Sequence, residues 1–222
     1  MSAVTVVGAG LAGSECAWQL ARRGIKVRLV EMKPGKYSPA HVSPGFAELV
    51  CSNSLRSDEL TNAVGLLKEE LRRLGSLIME SADKNRVAAG GALAVDREGF
   101  SEYITQRLRA CPNVEVEERE LTEIPEGEAV IATGPLTSDA MAEAIVRLCP
   151  EFDLHFYDAV APIVTLESVD MENAYLASRY GKGTADYVNC PMTKEEYEAF
   201  VTELRAAKEA PVHGFDDGAV FE

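Results

Sequence analysis

Three glycines, Gly8, Gly10 and Gly13, stand in Gly-x-Gly-x-x-Gly spacing within the string Gly8-Ala9-Gly10-Leu11-Ala12-Gly13. In that spacing the first glycine permits a tight strand-to-helix turn. The second lets the backbone approach a pyrophosphate, and the third lets helix and strand pack closely. The amides that open the following helix, and the positive end of its dipole, favour phosphate oxygens. Glu31 follows eighteen residues after Gly13, where a carboxylate can accept hydrogen bonds from ribose hydroxyls. A glycine-rich turn without a ligand needs neither that acid nor three glycines in register. A second string, Cys51-Ser52-Asn53-Ser54-Leu55-Arg56-Ser57, is mostly small and polar and reads as a loop lining a cofactor or substrate. A third, Glu128-Ala129-Val130-Ile131-Ala132-Thr133-Gly134-Pro135, ends a buried strand on a glycine turn, as in two-part flavin-binding folds. Joined to the first fingerprint, it favours flavin over NAD.

The elements that must position these strings follow from periodicity. Ala3 to Val7 is a β-branched apolar run, a buried strand. The helix after it carries Ala12, Cys16 and Leu20 on one face and stops at Gly24, and Lys26 to Val30 is a second strand. From Met32 to Leu60, Pro34, Gly35, Pro39, Pro44 and Gly45 punctuate a long loop. A loop of that length beside a nucleotide site is functional more often than not. Helices are expected over Leu66 to Leu74, Ser76 to Asn85, Arg97 to Ala110 with Asp96 as N-cap, and Leu136 to Leu148. Ala88 to Val95 reads as glycine-rich and then strand-like, Val114 to Val116 as a short strand, Tyr157 to Leu166 as strand-rich with Pro162 marking an edge or crossover, and Ala185 to Cys190 as strand-like. Thr193 and Glu196 form a capping box for a helix to about Lys208, whose face of Tyr197, Phe200, Val201 and Leu204 reads as core. A domain boundary is placed at about Asp158.

The composition narrows the function. With 46% hydrophobic residues in 222, the chain can bury a core. A net charge of −14 argues against a basic nucleic-acid track within this stretch alone. The arginines Arg72 and Arg73 read as a solvated helix face. No apolar run of about 18 residues is present, so no membrane span is expected. The first strand starts too early to leave room for a signal peptide. Five scattered cysteines, an odd number, fit a reducing cytoplasm and not a disulfide framework. The histidines His41, His155 and His213 lack metal-ligand spacing, so no metal is expected.

Taken together, GAGLAGSE at Gly8 to Glu15, CSNSLRS at Cys51 to Ser57, GGALAVDREGFS at Gly90 to Ser101, ATGPLTS at Ala132 to Ser138 and DYVNCPMTKEEY at Asp186 to Tyr197 carry a resemblance. The chain resembles the TrmFO/Gid family of methylenetetrahydrofolate- and FAD-dependent tRNA (uracil-5-)-methyltransferases over essentially all its residues. The resemblance implies an α/β fold: a Rossmann-like FAD-binding domain over 1–158, then the start of an inserted α+β domain over 159–222, both incomplete. It implies a cytoplasmic enzyme that converts the T-loop uridine of tRNA to 5-methyluridine. Methylenetetrahydrofolate gives the carbon, FAD takes part in its transfer and reduction, and NAD(P)H supplies electrons.

The FAD would lie on Gly8, Ala9, Gly10, Leu11, Ala12, Gly13, Glu31 and Gly134. Cys51 maps onto one of two family thiols, and which of the two attacks uracil stays open. The second thiol falls beyond this chain in longer family members, so full activity is not expected of this stretch. Cys190 is read as structural, and Cys16, Cys111 and Cys149 have no chemical role. Two alternatives remain. One is a related flavoprotein that adds carboxymethylaminomethyl groups to wobble uridines, and the other is a non-catalytic FAD-binding module. A generic NAD(P)H-flavin oxidoreductase would not need the Cys51 string and would carry a close cysteine pair.

Overall fold

The structure, a computed structural model, describes residues 3–149, 164–178, 181 and 184–207. These fall into two compact units. One holds residues 3–87 and 92–149, and the other holds residues 88–91 with the described residues from 164 onward.

The first unit begins with β1 (Val4–Val7), α1 (Leu11–Ala21) and β2 (Val27–Glu31). Then come β3 (Ser54–Ser57), α2 (Ala63–Arg73), α3 (Leu77–Lys84), β4 (Arg86–Val87) and β5 (Ala92–Val95). It closes with α4 (Arg97–Arg109), β6 (Val114–Glu118), β7 (Ala129–Ile131) and α5 (Asp139–Leu148). The main sheet has the order β6-β2-β1-β7, with every pairing parallel. Parallel neighbours require crossovers, and α1 supplies the one between β1 and β2. This is the Rossmann-like α/β arrangement, and it gathers the C-terminal ends of β1, β2 and β7 at one edge, where such sheets bind ligands.

The sheet's β-branched strands and the facing helices form one apolar core. Val6, Leu29, Phe46, Leu77, Leu93, Phe100, Ile104 and Leu108 are all fully buried in it. The expected cap at Asp96 is present, accepting a hydrogen bond from the Gly99 amide at 2.7 Å. The structure adds another at Ser76, which accepts the Met79 amide at 3.1 Å. Each such cap satisfies an amide that the helix cannot, a contribution of about 1 kcal/mol.

Three expectations are corrected here. The stretch from Met32 to Leu60 is not all loop, because Ser54–Ser57 pairs antiparallel with β5 and β5 pairs with β4. Phe46, Ala47 and Leu49 from the same stretch are buried, and Leu55 packs on the core. Strand pairing uses backbone groups, which a polar string supplies as well as an apolar one. On α1 the buried face is Gly13, Ser14, Ala17 and Ala21, while Ala12 is exposed. Small side chains on that face bring the helix close to the sheet. Helix α5 starts at Asp139, after its N-cap Ser138, and so later than expected.

The second unit contains β8 (Tyr175–Ala177) paired antiparallel with β9 (Tyr187–Asn189), then α6 (Lys194–Ala206). Asp186 accepts the Gly90 amide at 2.6 Å, and the Tyr187 hydroxyl donates to the Ala89 carbonyl at 3.1 Å. The capping box of Thr193 and Glu196 is present at the start of α6. Its apolar face, however, is not core. Tyr197, Phe200 and Leu204 are exposed, and no residue of the helix is buried. Among the described residues, the ribbon and this helix alone offer too little chain to close a core around that face. Most of the expected strand over Tyr157 to Leu166, and the tail after Pro211, lie outside the described residues.

Because Phe46 fills the core from an irregular segment, Phe46→Ala is expected to lower unfolding free energy by about 3–5 kcal/mol. Val42→Ala, at an exposed position of the same segment, should stay within about 0.5 kcal/mol. Urea unfolding of both variants checks the contrast.

Candidate functional site

A cavity of about 330 Å³ opens where β1, β2 and β7 end, a size at the low end of small-molecule sites. Its walls explain the glycine spacing. Gly8 has φ +92°, and a Cβ there would meet the Ala132 carbonyl oxygen at 2.8 Å. A Cβ on Gly13 would lie 1.8 Å from the Gly8 carbonyl oxygen. The fold itself forbids side chains at both positions. Gly10 is different: its φ is −70°, and nothing lies within 4 Å of a Cβ built there. The protein alone has room for a side chain at Gly10, so the glycine matters for what enters the cavity that it lines. Gly10 also caps α1 without a side-chain hydrogen bond. The first-turn amides therefore have no intrahelical partner and remain available to an anion.

Glu31 is 6% exposed, and its carboxylate is already engaged. Oε2 accepts from the Ala9 amide at 2.7 Å, and Oε1 accepts from the Lys33 amide at 3.0 Å. The acid thus ties the end of β2 to the glycine turn, while each oxygen retains acceptor capacity for a ligand hydroxyl. Ala9 is buried, with its amide on Glu31 and its carbonyl accepting from the Ala47 amide at 2.8 Å and Ser14 Oγ at 3.0 Å. Of the expected nucleotide residues, Gly8, Gly10, Leu11, Ala12, Glu31 and Gly134 line the cavity; Ala9 and Gly13 do not.

The facing wall holds residues that sequence reasoning did not find, among them Lys33, His41, Glu48 and Arg119. Lys33 Nζ donates to the Gly45 carbonyl at 2.5 Å and lies 3.5 Å from Glu48 Oε2. Glu48 Oε1 accepts the Val42 and Ser43 amides, each at 3.0 Å, while its buried Oε2 has no hydrogen-bond donor. His41 Nδ1 and Ser38 Oγ are 2.5 Å apart. Burial, then the nearby Lys33 charge, pull the imidazole below its ordinary value, with Glu48 and Glu31 opposing. The available sequence signals were a lysine two residues past the acid and a histidine inside the long loop.

Cys51 is exposed and does not line the cavity, but its neighbour Val50 does. The string around it is held at several points. Arg97 donates to the Cys51 carbonyl at 2.7 Å, and Asn53 Nδ2 donates to the Val95 carbonyl at 2.9 Å. Beyond β3, Asp58 takes Arg72 at 2.9 Å and also pairs with Arg86, and Lys68 Nζ donates to the Ser57 carbonyl at 2.9 Å. Burial would raise the Asp58 carboxyl, but the hydrogen bonds and charges of Arg72 and Arg86 outweigh it and hold it low. Arg72, expected on a solvated face, is instead clamped between Asp58 and Asp83. Cys16 is half-buried, and burial raises its thiol. Among the described residues no cluster of histidine, cysteine and acids could hold a metal, and no helix is long and apolar enough to cross a membrane.

Residues 3–222 match the family model described as glucose inhibited division protein A. A Lactobacillus helveticus protein named methylenetetrahydrofolate–tRNA-(uracil-5-)-methyltransferase TrmFO is 61% identical over 99% of this chain and 54% of its own length. A Staphylococcus carnosus protein of the same name is 58% identical over 99% of this chain and 50% of its own. The chain therefore spans about half the length of the curated relatives it matches. Among solved structures, Aquifex aeolicus GidA aligns at a TM-score of 0.45 and 19% identity, covering 56% of this chain and 20% of that one.

The lowered imidazole of His41 gives a pH signature. The unfolded chain protonates near 6.5 and the folded chain only below that. Stability is therefore full above about pH 6.5 and is lost as pH falls through the folded value. Asp58 and Glu80, both held below ordinary carboxylates, titrate well under this window. Thermal midpoints measured from pH 8 to pH 5 should fall in the chain and fall less in His41→Gln.

Proposed function

This chain belongs to the glucose inhibited division protein A family, and on that premise we propose that it is the N-terminal part of a folate-dependent tRNA (uracil-5-)-methyltransferase. The reading is supported by the relatives' printed names and by one observation in particular. Val50 lines the same cavity as Gly10 and Glu31, and the exposed thiol of Cys51 follows it directly. A thiol at the margin of a nucleotide cavity is what methyl transfer to a uracil ring needs.

The cavity fits the nucleotide part of FAD. Gly8, Gly10, Leu11 and Ala12 would meet the diphosphate through backbone amides, Glu31 the ribose hydroxyls, and Gly134 the reapproaching strand end. When bound, the flavin supplies redox chemistry for a one-carbon unit. Glu31 preorganises the turn by holding the Ala9 amide. Cys51 is the reactive thiol of this part. Thiolate addition at C6 of uracil makes C5 a nucleophile, and a second thiol in the longer protein shares the work. Methylenetetrahydrofolate is the carbon donor, tRNA the acceptor and NAD(P)H the electron source. The FAD-binding part runs to about residue 158 and an inserted domain begins beyond it. Cysteines kept as thiols fit a cytoplasmic enzyme.

The test joins this chain to the C-terminal half of the Lactobacillus helveticus relative. The fusion is given unmodified tRNA, reduced nicotinamide and either methylenetetrahydrofolate or S-adenosylmethionine. Nucleoside mass spectrometry should find 5-methyluridine with folate only, and none from Cys51→Ala. Product with neither donor, from protein that retains FAD, would refute the assignment. Gly10→Ala should keep its fold and lose bound FAD, whereas Gly13→Ala should lose stability; flavin absorbance and thermal midpoints separate the two.

A further inference from the structure

Strand β3 carries an irregularity with a defined geometry. Ser54 pairs with Ala94 and Ser57 with Ala92, so two residues of β3, Leu55 and Arg56, face the single residue Leu93. At such a bulge one residue takes left-handed dihedrals, and glycine is the residue that does so without strain. Here that position is Arg56, with φ +67°. Strained backbone at a non-glycine residue, next to a candidate reactive thiol, points to a use for the side chain it presents.

The bulge turns Leu55 onto the core and leaves Arg56 exposed. The neighbouring cations are all engaged. Arg72 lies between Asp58 and Asp83, and Arg86 pairs with Asp58. Lys68 holds the Ser57 and Val64 carbonyls, and Arg97 holds the Cys51 carbonyl. The Arg56 guanidinium alone in this group has no hydrogen-bond or ion-pair partner among the described residues. It sits near enough to Lys68 to act on that ammonium as a like charge, as Arg72 also does, with Asp58 opposing both. In a chain of net charge −14, Arg56 is an exposed cation whose neighbouring carboxylates, Asp58 and Asp83, are committed to Arg72 and Arg86.

We propose that Arg56 is an RNA-backbone contact: its guanidinium binds a phosphodiester of the substrate strand and holds that strand against the Cys51 segment. This inference rests on the methyltransferase reading for the identity of the RNA. A phosphodiester suits the site because a planar guanidinium offers it paired donors. Strand β3 ends its three-stranded sheet and is paired on one side only, by β5.

The experiment uses the fusion with the Lactobacillus helveticus half and a fluorescent, unmodified tRNA stem-loop, with anisotropy read from 50 to 200 mM salt. Arg56→Gln should weaken binding roughly five- to tenfold at low salt. It should also flatten the slope of log K against log salt by about 0.7–0.9, one phosphate's worth. Arg56→Lys should keep most of the slope. Arg73→Gln, an exposed arginine on α2 paired with Glu69, should leave it unchanged. Arg56→Gly should raise the thermal midpoint by about 2–4 °C while losing RNA affinity, a pairing that a purely structural arginine cannot give. An unchanged slope in Arg56→Gln overturns the inference, as does an absence of RNA binding by the parent fusion. So does a loss confined to the KM for folate. If no 5-methyluridine forms yet the slope still changes, the enzymatic reading fails and the contact stands.

Discussion

The first unit depends on one close approach. The backbone of α1 at Gly13 passes so near the Gly8 carbonyl that a methyl group would overlap it. That contact brings α1 down onto the sheet, which is why the buried face of the helix is Gly13, Ser14, Ala17 and Ala21 and not its larger residues. It also fixes where the helix begins, and so where the unpartnered amides of its first turn point their charge. Glu31 completes the arrangement from the other side. By accepting the Ala9 amide it settles the turn geometry before any ligand arrives, a form of preorganisation that removes part of the ordering cost of binding.

Charge is distributed to match. The chain is acidic overall, yet the cavity wall carries Lys33 and Arg119, and the segment after Cys51 is surrounded by arginine and lysine. Asp58 accepts two of these cations at once, which pins β3 and the start of β4 together without a large apolar contact. A polar string is thereby given a rigid mount, as a reactive loop requires.

Much of this was legible in the residues. The β-branched run at Val4 to Val7 and the acid at Glu31 announced the parallel pair, and Asp96 and Thr193 announced their helices as caps. The failures have a common physical origin. Ser54 to Ser57 shows no alternation because its strand character comes from a partner, β5, almost forty residues away. Phe46 and Leu49 sit among prolines and glycines that signal loop, and burial there is set by tertiary contact. The face of Tyr197, Phe200 and Leu204 reads as core in the sequence and is exposed in the structure, because an apolar stripe says which face wants covering and not whether a partner is at hand. Lys33, His41 and Glu48 meet only when the long segment folds back, so no spacing rule could pair them.

The hydrogen bond from the Ala47 amide to the Ala9 carbonyl joins the segment leading to Cys51 directly to the glycine turn. Ala47 itself is buried and held at φ +50°, so this stretch has little freedom to yield. Order imposed at one end is therefore felt at the other. A nucleotide that stiffens the turn also narrows the positions open to the thiol. By thermodynamic reciprocity, an occupant that settles the thiol segment tightens the grip on the nucleotide by the same factor. In this fold the glycine turn and the segment leading to Cys51 are tied by a backbone hydrogen bond, from the Ala47 amide to the Ala9 carbonyl.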